Sequence, residues 1–181
     1  VCSDTGVKFV CENVTIKSTL PGQFNVYNML AAVSYARALG ISMETIKAGL
    51  EKVGEIKGRA QKIKNNLGID VVVNEANKPD SLRALYTTFE KKKKICVLGN
   101  CGGGRDKWKR KEMAEIAEQY CDTVILTDED PYDDDPREII ESMAAEMKNK
   151  TPQIIIDRRQ AIAQAIKMAQ GGSAVLITGK G

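Results

Sequence analysis

From residue 70 to residue 178 the chain repeats one pattern: a short β-branched run, a polar or Gly-rich loop, then apolar residues at helical spacing. The runs are Asp70 to Val73, Ile95 to Leu98, Thr123 to Leu126, Ile154 to Ile156 and Ala174 to Ile177. Helical patterns lie near residues 80–91, 107–120, 136–148 and 158–170. Strands separated by helices pair in parallel through crossovers, and near-continuous apolar runs suit strands buried on both faces. The expected fold class is therefore α/β, a Rossmann-like, mainly parallel sheet with helices on both faces. The last helix shows the local logic. Asp157 is placed to cap it, Ala161, Ile162, Ala165, Ile166 and Ala169 form its inward stripe, and Gly171-Gly172 stops it.

Residues before Gly58-Arg59 have a different texture. Residues 1 to about 17 alternate weakly, a short strand pattern expected to be unable to bury itself alone. Val26, Met29, Leu30, Val33 and Ala36 then mark one face of a helix that Gly40 can close. Ser42 is placed to cap a second helix carrying Ile46, Leu50 and Val53. We divide the chain into 1–57, the tail of one domain, and 58–181, a domain truncated at its end. Val1 opens without Met or a leader, and the strand ending at Thr178 runs straight into Gly179-Lys180-Gly181, so a longer parent chain is expected.

Composition narrows the function classes. A net charge of +3, from 27 Lys plus Arg against 24 Asp plus Glu, with one Trp, three Phe and five Tyr, gives no basic, aromatic surface of the kind that binds nucleic acid. No apolar run approaches the roughly 18 to 20 residues that span a bilayer, so no membrane partner is expected. Cys2, Cys11, Cys96, Cys101 and Cys121 form no CxxC pair, and the chain has no His to complete a metal site. They are expected to be reduced, mostly buried thiols of a cytoplasmic protein.

In open α/β sheets ligands sit outside the carboxyl ends of the strands, so the following loops are the candidate site. They read Asn74 to Asp80, Gly99 to Asp106, Asp128 to Tyr132, and Gly179-Lys180-Gly181. Backbone N–H groups of the glycine loop, with Arg105, suit an anion. Arg105, Lys107, Lys109 and Arg110 crowd a helix start whose dipole disfavours cations, which again suggests an anionic ligand. Asp128 to Asp135 holds six carboxylates in eight residues. Asp133, Asp134 and Asp135 fit a helix start at Pro136, while Asp128, Glu129 and Asp130 lie at the strand tip, where they suit an amine.

The ordered set of these segments resembles the Mur ligases, ATP-dependent amide ligases of peptidoglycan synthesis, and within them the MurE type. Gly22 to Asn28 resembles that family's G-x-F-N-x-x-N segment, Gly58-Arg59 its Gly-Arg hinge, and Gly99 to Arg110 its G-C-G-G-D-R-D-x-x-K-R loop. Thr127 to Pro131 resembles T-D-D-N-P, Asp157-Arg158 the dR-x-x-A-I helix start, and Gly179-Lys180-Gly181 the opening of G-K-G-H-E. The resemblance implies a three-domain enzyme that uses ATP and Mg2+ to phosphorylate a carboxylate of UDP-N-acetylmuramoyl-L-alanyl-D-glutamate. A diamino acid then attacks the acyl phosphate. It implies that residues 1–57 belong to the central ATPase domain, whose phosphate loop has no counterpart here, so this chain alone is expected to be inactive and to contain no catalytic residue. A monomer is expected.

By the same resemblance Asn28, Arg59 and Asn74 contact the nucleotide. Arg105, Glu129, Asp130, Tyr132 and Gly179 hold the diamino acid. Two departures stand out. The family's D-Y-A-H-x-P-D is Asn74 to Asp80 here, with amides in place of Asp and His. The D-N-P-R signature is Glu129-Asp130-Pro131-Tyr132, without the Arg that grips a distal carboxylate, so lysine or ornithine is expected to be favoured over meso-diaminopimelate. The other readings are a divergent or archaeal cell-wall peptide ligase and a noncatalytic, ligase-derived binding subunit.

Overall fold

A computed structural model describes residues 1–105 and 107–180; Asp106 of the glycine loop and Gly181 of the final triplet lie outside the described residues. Three strands open the chain, β1 (Cys2–Ser3), β2 (Gly6–Cys11) and β3 (Val14–Ser18), followed by α1 (Gln23–Ala38) and α2 (Met43–Lys52). Then come β4 (Gln61–Ile63), β5 (Asp70–Asn74), α3 (Pro79–Thr88), β6 (Lys94–Leu98) and α4 (Trp108–Tyr120). β7 (Thr123–Leu126), α5 (Pro136–Ala144), β8 (Gln153–Ile154), α6 (Arg158–Met168) and β9 (Ala174–Thr178) complete it.

The larger sheet runs β4-β5-β9-β6-β7-β8, parallel except for β4. From β6 the chain steps outward through β7 to β8, then returns across the sheet so that β9 slots between β5 and β6. A right-handed crossover that reverses direction must place its helix on the opposite face. Accordingly α3, α4 and α5 cover one face, over Val72, Leu98, Leu126 and Leu176. On the other, α6 packs Ala161 and Ala165 onto Val71, Val97, Ile125 and Val175. Both faces are covered, as the unbroken apolar runs require. The return also creates a switch point at β9, where loops diverge and leave a crevice.

Helix ends follow the capping chemistry. Ser42 accepts from Thr45 N, Asp135 from Arg137 N and Asp157 from Gln160 N. Gly40, with φ 76°, turns the chain after α1.

Several expectations need correction. Residues 2–18 pair among themselves as an antiparallel meander, and Ile16 joins Val33, Met43 and Ile46 in a small core. Of these strands only Val7 and Ile16 are buried, and α1 and α2 cover Ile16, so the strands do not bury themselves alone. The strand expected over 154–156 shrinks to Gln153–Ile154, because Asp157 caps the next helix at once; Ile155 N still donates to Leu126 O at 3.0 Å. The helix expected to reach 148 ends at Ala144, and its last turn tightens, with Glu146 N bonded to Met143 O and Met147 N to Ala144 O. α3 likewise stops at Thr88 rather than 91. β4 was not anticipated, since three residues carry too little pattern. Cys96 and Cys121 are joined as a disulfide across 6.1 Å between Cα atoms, and Cys2 is exposed, so the expected set of reduced, mostly buried thiols is not what the fold contains. No helix among the described residues is long and apolar enough to cross a membrane.

Candidate functional site

Four adjacent parallel strands, β5, β9, β6 and β7, end at one edge, and the loops that follow them enclose a cleft of about 740 Å³. Arg105, Glu129, Asp130, Tyr132 and Gly179 all line it, together with Arg59 of the expected nucleotide set. Asn28 does not: it is exposed on α1, donating to Asn25 Oδ1 at 3.3 Å. Asn74 is buried at the end of β5 and does not line the cleft either, although its neighbours Glu75 and Asn77 do. The expected nucleotide residues thus do not converge around this cleft, whereas the five expected amino-acid residues do.

Glu129 is the most unusual side chain there. It is 4% exposed, its Oε1 accepts from Cys101 Sγ at 3.3 Å, and its Oε2 is buried without a partner. Burial pushes its carboxyl above the ordinary value, against the Cys101 hydrogen bond and the nearby Arg158 and Lys109 charges that pull it down. Burial and the adjacent Glu129 carboxylate in turn push the Cys101 thiol up to about 11. A buried carboxylate oxygen lacking a donor costs about 1–3 kcal/mol, which an ammonium entering the cleft would recover.

Gly179 makes room for that carboxylate. Its φ is +98°, and a Cβ there would stand 2.0 Å from Glu129 Oε2. Arg158, at the start of α6, underpins the same corner by donating to Thr178 O at 2.7 Å and Asp128 O at 3.4 Å. The opposite rim is tied together by backbone: Gly102 N donates to Asp130 O at 2.9 Å, and a Cβ on Gly102 would lie 2.0 Å from Pro131 O. Tyr132 sits in the left-handed region at φ 52°, its ring against Gly103, with the Arg105 guanidinium 5.7 Å from the ring centroid.

Charge in the cleft is balanced differently from the expectation. Of the acidic run, Asp134 stands 3.6 Å from Arg110 and Asp135 caps α5, so only Glu129 and Asp130 reach the cleft. Asp130 is already paired with Lys180 Nζ at 2.7 Å, and Arg59 pairs with Glu75. Lys57 and Arg105 add further positive charge. The physical ground for preferring a plain side-chain ammonium therefore falls away. Glu75, Cys101 and Lys180 lie in loops singled out from the sequence and Arg158 in a motif, but none was given a role, and Lys57 was not picked out. Only the order of loops along one strand edge could have gathered them, and that depends on β9 returning to the middle of the sheet.

The sequence matches the family described as Mur ligase, glutamate ligase domain, over residues 58–181. It is 46% identical over 165 residues to a UDP-N-acetylmuramoyl-L-alanyl-D-glutamate--2,6-diaminopimelate ligase of Lactiplantibacillus plantarum, covering 90% of this chain and 33% of the relative. A ligase of the same name from Oceanobacillus iheyensis is 39% identical over 173 residues, covering 93% of this chain and 35% of the relative. A solved structure of a ligase of that name superposes with a TM-score of 0.66 at 31% identity, covering 99% of this chain and 38% of that one. The chain spans about a third of the length of these relatives, and their names give no support to lysine or ornithine. The chain belongs to the Mur ligase family, with the glutamate ligase domain of that family over residues 58–181.

Proposed function

We propose that this chain is the C-terminal part of an ATP-dependent ligase that joins 2,6-diaminopimelate to UDP-N-acetylmuramoyl-L-alanyl-D-glutamate in peptidoglycan precursor synthesis. Residues 1–57 complete the central ATPase domain in this reading, and the cleft of residues 58–181 seats the incoming amino acid. The observation that carries it is Glu129. Glu129, one oxygen of which is buried without a partner, lines the same cleft as Arg105, so an anionic and a cationic group are both available to a zwitterion there. Arg105 binds a carboxylate, Glu129 an ammonium, and Gly179 admits the chain of the amino acid beside the Glu129 carboxylate. Lys57, which also lines the cleft, supplies a cation for the second carboxylate where the family has its Arg in place of Tyr132. Relatives named for 2,6-diaminopimelate support that substrate over lysine.

ATP supplies the phosphoryl group that activates the acceptor carboxylate. Among the described residues no cluster of three or more Asp, Glu, Cys or His side chains fits a metal ion, and Asn28, Arg59 and Asn74 do not share one site. In this reading the phosphate loop of the parent ligase's central domain holds Mg2+ and the phosphates, with Arg59 the nucleotide contact that also lines the amino-acid cleft.

The test is phosphate release by the intact ligase with the UDP-linked dipeptide and either 2,6-diaminopimelate or lysine. Turnover with diaminopimelate at a kcat/KM at least about tenfold above lysine, a difference of about 1.4 kcal/mol, supports the reading. A preference for lysine, or no turnover with any diamino acid, contradicts it.

A further inference from the structure

The cations at the start of α4 do not all face the cleft. Arg105 does, but Lys109 is 9% exposed and donates from Nζ to Asn77 O at 3.2 Å. Arg110, with a side chain 11% exposed, donates through Nη2 to Cys101 O at 3.1 Å and stands 3.6 Å from Asp134. Positive charge is unfavourable at a helix N-terminus, so its presence needs a cause. For these two residues the cause is internal, since each reaches back to a loop of the cleft rim.

Arg110 touches both loops that form the two charged walls. Cys101 belongs to the glycine loop that carries Arg105, and Asp134 to the acidic loop that carries Glu129 and Asp130. Between those contacts the loops meet closely, through Gly102 N to Asp130 O and through the Gly102 Cα face against Pro131 O. Asp134 N donates to Pro131 O at 3.0 Å, which carries the Arg110 contact into the turn that presents Asp130 and Tyr132. Both contacts leave from Nη2, whose two N–H groups point to different segments, while Nε is buried without a partner.

We propose that Arg110 is a positioning residue that sets the separation between the cationic and acidic walls of the cleft, and so the length of diamino acid that fits. This rests on the diamino-acid reading given above. With Arg110 in place the walls are held at one spacing and 2,6-diaminopimelate is separated from the shorter ornithine. Without it the glycine loop and the acidic loop are still joined by the Gly102 N to Asp130 O bond and the Gly102–Pro131 contact, but the spacing loosens, and that separation narrows.

The experiment measures KM for 2,6-diaminopimelate, ornithine and ATP, with kcat and thermal midpoint, in the intact ligase and its Arg110→Met and Arg110→Lys variants. Arg110→Met is expected to raise the diaminopimelate KM about tenfold or more and to narrow its ratio to the ornithine KM, with the ATP KM within about twofold. Arg110→Lys is expected to recover part of the loss, since one ammonium serves a single acceptor well. If Arg110→Met does not fold, Asp134→Asn removes only the outer partner, and about a threefold rise in the diaminopimelate KM alone is the supporting result. An unchanged ratio in a folded variant, or equal rises for ATP and diamino acid, overturns the proposal. No turnover of any diamino acid by the unmodified ligase removes the reading beneath it instead.

Discussion

The six-stranded unit and the three-stranded unit bury their sheets in different ways. In the first, Val72, Leu98, Leu126 and Leu176 lie under three helices while Val71, Val97, Ile125 and Val175 lie under α6, so β5, β6, β7 and β9 are enclosed on both sides. In the second, the fully enclosed residues are few, Ile16 among them, and α1 leaves Tyr27, Tyr35 and Leu39 exposed along a helix that is apolar nearly all round. The difference teaches where the cleft gets its precision. Glu129, Gly179 and the glycine loop stand directly on the ends of enclosed strands, whereas Asn28 stands on a thinly supported helix.

The largest expected effect breaks the stronger side. Leu126→Ala empties a fully buried position immediately before the acidic loop and is expected to cost about 2–5 kcal/mol, read by denaturant unfolding. Ile16→Ala is expected to lower amide-exchange protection in residues 2–52 while leaving β5, β6, β7 and β9 protected. Equal loss in both units would show that they share one core.

Next comes Gly179→Ala. The positive φ and the clash with Glu129 together are expected to cost about 2 kcal/mol and to abolish diamino-acid binding, measured by calorimetry on the intact ligase. Gly104→Ala, also at positive φ but in open space, is expected to cost about 1 kcal/mol and leave the Glu129 corner intact.

Glu129→Gln gives a smaller and pH-dependent effect. Burial holds the folded carboxyl above its ordinary value near 4.5, so as pH rises the folded chain retains this proton longer than the unfolded chain. Stability is therefore lost between that ordinary value and the raised folded one. The variant lacks this loss and is expected to gain on wild type as pH rises from the ordinary value through the raised folded one, seen in thermal midpoints across pH. A constant difference between the two would contradict the burial argument.

The smallest effect concerns the contact between the units. Lys92 reaches Asp4 in the first unit at 3.2 Å and Asp70 on β5 in the second. Lys92→Met is expected to cost about 1 kcal/mol or less, to shrink further at high salt, and to leave the cleft unchanged.

The α/β class and the strand tips were legible because buried parallel strands write themselves as unbroken apolar runs, and caps such as Asp157 and Ser42 are local. The five residues expected to hold the amino acid each follow a strand, which is why they line one cleft. What escaped was non-local. The acidic run reads as one negative patch in the sequence, yet Asp134 and Asp135 turn away to Arg110 and to the α5 cap, and Lys180 arrives from β9 to pair with Asp130. Pairing of Cys96 with Cys121 depends on where α4 ends against β6, and no spacing rule reports that.

The central claim is that Glu129 and Arg105 grip opposite ends of one zwitterion. Calorimetric titration of 2,6-diaminopimelate into the intact ligase and its Glu129→Gln and Arg105→Met variants tests it most directly. Each variant is expected to weaken binding about tenfold or more, and the double variant by less than the product of the two. Affinities unchanged by either substitution would contradict the account.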